Sequence, residues 1–210
     1  MTRLRFCLAL LLSLLASGPG AGAAELAKLP LDIAGVRLGA YIHHMEPQCS
    51  GDTAVPLRDA PFLTEVSLKP STLPGVRGAS VAYGNCADPG RIVWVKIKFR
   101  DMRRELFDQL YDRYEDRFGK PSVWLGDAFH NVIAWAWDFT DGAEQMRVVL
   151  MYSKDRDMRP GVSIKATLRS AYDREYECYH ARLVKEDART ADKDAADGDF
   201  DLDHYVPKAP

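Results

Sequence analysis

Alternation of apolar and polar side chains marks four clear strands. In Arg91 to Phe99, Val93, Val95, Ile97 and Phe99 face one way while Lys96 and Lys98 face the other. Ile133, Trp135, Trp137 and Phe139 repeat that period of two, as do Met146, Val148, Leu150 and Tyr152, and then Val162, Ile164, Ala166 and Leu168. β-Branched and aromatic residues at this period are what a half-buried strand requires. Leu63, Val66 and Leu68 mark a weaker extended segment, and Gly75 to Tyr83 another. Between Asp101 and Phe118 the period changes. Leu106, Phe107, Leu110, Tyr111, Tyr114 and Phe118 fall on one stripe of a helix. Asp101 is the expected cap, and Gly119-Lys120-Pro121 is a stop. Ser170 opens a second helical pattern with Tyr172, Tyr176, Tyr179 and Leu183 as its stripe.

The N-terminal side is less regular. Leu26 to Gly39 mixes a short extended piece with glycines, and Tyr41 to Met45 reads as one helical turn before Pro47. Residues 46–61, rich in Pro, Gly, Ser and Asp, read as a loop. Short connections between successive strands favour an antiparallel meander. The expectation is therefore an α+β domain: an antiparallel sheet of four to six strands, one long amphipathic helix packed on a face, and a C-terminal helix.

The first two dozen residues are of another kind. Arg3 and Arg5 precede the apolar run Leu8 to Ala16, followed by Gly18-Pro19-Gly20 and Ala21-Gly22-Ala23-Ala24. A basic head, an apolar run of about 7–15 residues and a small-residue exit form a secretory leader. The run is shorter than the ~20 apolar residues a membrane span needs. Residues 1–24 are thus read as a signal peptide cleaved near Ala24, residues 25–185 as one domain, and the product as periplasmic, with no transmembrane segment left after cleavage. Residues 186–210 hold eight acidic residues against Arg189, Lys193 and Lys208, with few large apolar side chains, and read as a disordered tail. That stretch therefore carries −5 against a net charge of −2 for the whole chain, and the leader carries +2, which leaves the body near +1. A near-neutral body argues against nucleic-acid binding, which needs a dense basic face.

Export changes how the cysteines are weighed. Cys49, Cys86 and Cys178 remain after cleavage, and in an oxidising compartment two of them are expected to pair. Cys49 and Cys86 both fall in Pro/Gly-containing loops, which favours that pair and leaves Cys178 over; pairings to Cys178 and a disulfide between chains stay open. Cys178 and His180, two positions apart, diverge on a helix and do not make a thiolate–base pair.

Gly35-Val36-Arg37-Leu38-Gly39, together with Arg117-Phe118-Gly119-Lys120-Pro121 closing an amphipathic helix before a strand pair, resembles uncharacterised bacterial periplasmic α+β proteins. Small outer-membrane assembly lipoproteins share a similar flavour, though this chain has no lipid-attachment cysteine. The resemblance implies the fold class and the compartment, and its assembly-factor relatives act by binding other envelope proteins.

Candidate chemistry is sparse. His43, His44 and Met45, with Cys49 close behind, carry donors suited to Cu(I) or Zn(II). Trp94 lies opposite the apolar set of its own strand and is a candidate binding patch if that face is open. No Ser-His-Asp order, phosphate loop or H-E-x-x-H appears, so no catalytic residue and no cofactor is assigned. The expected role is a non-catalytic binding module for an envelope protein or a small ligand, using the open face or an edge of the sheet. Two alternatives remain: an enzyme whose site gathers His43, His44, His130 and distant acidic residues, and metal binding through the His43–Cys49 segment.

Overall fold

The computed structural model describes residues 29–155 and 160–196, with side chains through Arg189 in the last helix. Residues 1–24, read above as a leader, and the end of the acidic C-terminal stretch lie outside the described residues. β1 (Asp32–Ile33) and β2 (Val36–Arg37) form a small hairpin, followed by a 3-10 turn over Ile42–Gln48. The main sheet then builds from β3 (Cys49–Leu57), β4 (Ala60–Leu68), β5 (Val76–Gly84) and β6 (Ile92–Phe99). Helix α1 (Arg104–Phe118) intervenes. β7 (Val123–Trp124), β8 (Val132–Asp141), β9 (Glu144–Ser153) and β10 (Gly161–Leu168) complete the sheet, and α2 (Arg169–Ala196) ends the described chain.

The sheet is antiparallel and eight strands wide, in the order β3-β4-β5-β6-β10-β9-β8-β7. Two four-stranded meanders, each followed by a helix, meet where β6 pairs with β10. The sheet exceeds the expected four to six strands because both edges escape the usual signals. β3 carries Gly51, Asp52 and Pro56, with register shifts between Ser50 and Val55 and between Pro56 and Leu57. An edge strand needs hydrogen bonds on one side only, so it tolerates proline and bulges that would exclude it from the centre. β7 is only two residues long, too short to show any period.

One row crosses the sheet from Val66 through Val81, Val95, Ala166 and Val148 to Trp137, each directly opposite the next. All six are buried. α1 lies over this face: the Tyr111 and Tyr114 rings sit 5.9 and 5.2 Å from Trp137, and Phe118 packs edge-on to Phe139 at 5.1 Å. Gly119, at φ 77°, ends the helix by donating its N–H to Glu115. The start differs from expectation. The N-cap position is Arg103, without a side-chain cap, and Asp101 instead accepts the Arg103 N–H and its guanidinium.

The other face bears the row Glu65, Ala82, Trp94, Thr167, Arg147 and Asp138. α2 comes over its upper end, where Phe62 meets Tyr172, Tyr176 and Tyr179. The helix runs on to Ala196, well past Glu186, where composition placed the end of the ordered chain. Ala188, Ala191, Ala195 and Ala196 with Arg189 and Lys193 are good helix formers and offset the poorer Asp187, Thr190, Asp192 and Asp194, so the stretch continues a helix already begun. Among the described residues no helix is long and apolar enough to cross a membrane.

Candidate functional site

The structure separates the expected metal donors. His43 and His44 lie in the 3-10 turn with exposed rings 4.1 Å apart, while Met45 turns into the core. The short turn points successive side chains in different directions, so three adjacent donors do not face one point. Cys49 is a free, buried thiol, and burial pushes its pKa up, which disfavours the thiolate a metal needs. Among the described residues no group of three His, Cys, Asp or Glu side chains could hold a metal ion. His130 sits in the connection between β7 and β8 beside Trp124, on an element separate from His43 and His44.

The disulfide is Cys86–Cys178, not Cys49–Cys86. Cys49 opens the edge strand β3 with its side chain in the core, whereas Cys86 sits in the β5–β6 connection directly beneath α2, with Cα atoms 5.8 Å apart. Cys178 is therefore neither left over nor available as a nucleophile. The Trp94 patch is also corrected. Trp94 is only 4% exposed, and the Lys165 ammonium stands 4.7 Å from the centre of its ring. A strand's polar face is closed here because a second helix and a long lysine stem cover it.

The disulfide belongs to a larger latch. Glu175, 2% exposed, sends its carboxylate into the β5–β6 connection. It accepts the backbone N–H groups of Asn85, Cys86, Ala87 and Asp88 at 3.1, 2.7, 3.1 and 2.6 Å. Arg182 adds a bond to the Cys86 carbonyl at 3.3 Å. One signal was present: Glu175 lies three positions after Tyr172 and four before Tyr179, on the helix's own apolar stripe. This arrangement satisfies buried groups and offers nothing to a substrate.

The feature most open to a partner is the loop joining β7 to β8. The Asp127 carboxylate accepts the N–H groups of Phe129, Asn131 and Val132 at 2.8, 3.1 and 2.6 Å. Burial would raise the Asp127 pKa, but those three donors and His130 outweigh it and hold the group below the usual carboxylate value. The loop is also laced to β8: Leu125 donates to Ala134 at 2.9 Å and Asp127 to Val132 at 3.0 Å. Trp124 packs edge-on to Trp135 at 4.7 Å. On this braced loop Phe129 is 84% exposed, with Trp124 and Leu125 also exposed nearby. The signal for it was an aromatic inside Gly126-Asp127-Ala128-Phe129-His130-Asn131, where a polar loop has no internal use for one.

No protein-family model matches the chain, and neither a curated protein nor a solved structure matches it.

Proposed function

We propose that this chain is an exported, periplasmic, non-catalytic binding module that docks an envelope protein through the β7–β8 loop, with Phe129 as the anchor. The observation that carries this reading is the 84% exposure of Phe129 on a loop braced by three hydrogen bonds to Asp127. A braced loop loses little conformational freedom on binding, and a protruding aromatic is the side chain that most often fills a partner's pocket. The leader-like N-terminus supports export, and a disulfide agrees with an oxidising compartment. The enzyme alternative is less well supported, since His130 stands on a different element from the adjacent His43 and His44, and Cys178 is bonded.

The test is photo-crosslinking in the periplasm from a reactive residue placed at position 129, with position 184 as control. Val184 is also an exposed apolar residue but lies on α2, away from the loop. A discrete crosslinked protein from 129 and none from 184, lost when Leu125 is replaced by Asp, is the expected result. Equal labelling from both positions rejects the loop as the docking element.

A further inference from the structure

A cleft of about 350 Å³ lies between α1 and the β1–β2 hairpin, on the face of the sheet away from the disulfide. Ile33, Leu110, Phe118 and Val148 give it an apolar interior. Arg113 and Arg117 stand at its rim, one helical turn apart. Like charges at this spacing repel and cost α1 stability. The negative end of the helix dipole favours Arg117, in the last turn. Arg113 donates to the Gln109 carbonyl at 2.8 Å, and neither guanidinium forms an ion pair among the described residues.

Other groups at the cleft do not neutralise this rim. Asp32 also lines it, but its carboxylate is held by Arg37 at 2.7 Å. Tyr114 lines the wall, and its hydroxyl has no hydrogen-bond partner among the described residues. An apolar slot with two cations and a phenol at its margin complements one kind of molecule, a single alkyl chain ending in an anion. The volume lies at the small end of the ~300–1,000 Å³ range of ligand sites, too tight for a two-chain lipid.

We propose that this cleft binds a single-chain amphiphile with a carboxylate head, the chain lying against Leu110, Phe118 and Val148 and the head meeting Arg113 and Arg117. This site is separate from the Phe129 loop and does not depend on it.

The experiment is calorimetric titration of the delipidated, disulfide-intact exported chain with hexanoate, octanoate and decanoate below their micelle concentrations, and with decanol. Expected are one saturable site, affinity rising about fourfold per added methylene, and decanol binding at least fivefold more weakly than decanoate. The double variant Arg113→Gln/Arg117→Gln should weaken decanoate at least fivefold and leave decanol unchanged. Leu110→Trp and, separately, Ile33→Trp fill the slot from opposite walls and should each abolish binding with circular dichroism unchanged. Absence of saturable binding, equal affinity for decanoate and decanol, or binding that survives both tryptophan variants overturns the proposal.

Discussion

Glu175 occupies the space in which Gly84 would carry a Cβ. The glycine lies at the end of β5, and any side chain there would run into the carboxylate and stem of Glu175 coming down from α2. The absence of one methyl group thus admits the carboxylate that gathers four backbone N–H groups of the β5–β6 connection.

Gly84→Ala is expected to destabilise the protein by about 1–3 kcal/mol through overpacking. Glu175→Ala should cost about 2–4 kcal/mol, because it strips buried N–H groups of their acceptor. The two positions share one contact, so their effects should not add. In urea unfolding, Gly84→Ala made in the Glu175→Ala background should cost under half of what it costs alone. Full additivity would show that the glycine is there for another reason.

The Cys86–Cys178 bond closes a loop with a sequence separation of 92. The chain-entropy model gives about 4–5 kcal/mol for a loop of that size. Cys178→Ser, or reduction, should lower stability by that order, whereas Cys49→Ser should leave the non-reduced mass two hydrogens below the fully reduced value. Alkylation of the native protein should spare Cys49 until denaturant is added, since the thiol is buried. A peptide map joining Cys49 to Cys86 is the contrary result.

Burial pushes the Tyr114 phenol up to about 12. Its ionisation is thus harder in the folded chain than in the unfolded one, where the value is about 10. The stabilising contribution is complete below pH ~10 and is lost as pH rises toward ~12, amounting to about 2–3 kcal/mol. Urea midpoints measured from pH 9 to 11.5 should fall for the parent chain. Tyr114→Phe should flatten that decline, and an unchanged slope would place the phenol in water.

Asp127 holds its loop through three backbone donors, and its pKa is held below the usual value. A carboxyl group with a depressed folded pKa stabilises above its unfolded pKa and loses that effect as pH falls through the folded one. Protection of the Phe129, Asn131 and Val132 amides against hydrogen exchange should therefore persist at neutral pH and decay in acid below the normal Asp range. Asp127→Ala should cut protection at these amides at least tenfold at neutral pH while the β6–β10 amides keep theirs.

The central strands were legible because the face packed under α1 takes an apolar residue at every second position, as in Val93 to Phe99 and Ile133 to Phe139, even though Trp94, Ala134 and Ala136 are buried on the other face as well. α1 was legible for the same reason at a period of 3.6. β3 was not: an edge strand bonded on one side keeps Gly51 and Pro56, and so looks like a loop. The end of the ordered chain was misplaced because composition records solvent exposure, while a helix already begun carries on through the alanines, Arg189 and Lys193 past Glu186. The candidate site left even less trace. Phe129 signals nothing by period, and the bracing of its loop by Asp127 joins groups that only the folded backbone brings together.

The sequence alone determined the α+β alternation, α1 and its glycine stop, and the leader-like N-terminus. These depend on neighbours within a few positions, where period and composition act. Only the tertiary structure decided that Cys86 pairs with Cys178, that Trp94 is covered, and that Glu175 fills the space left by Gly84. Each of these joins residues far apart along the chain, and a local pattern carries no record of which distant surfaces will meet.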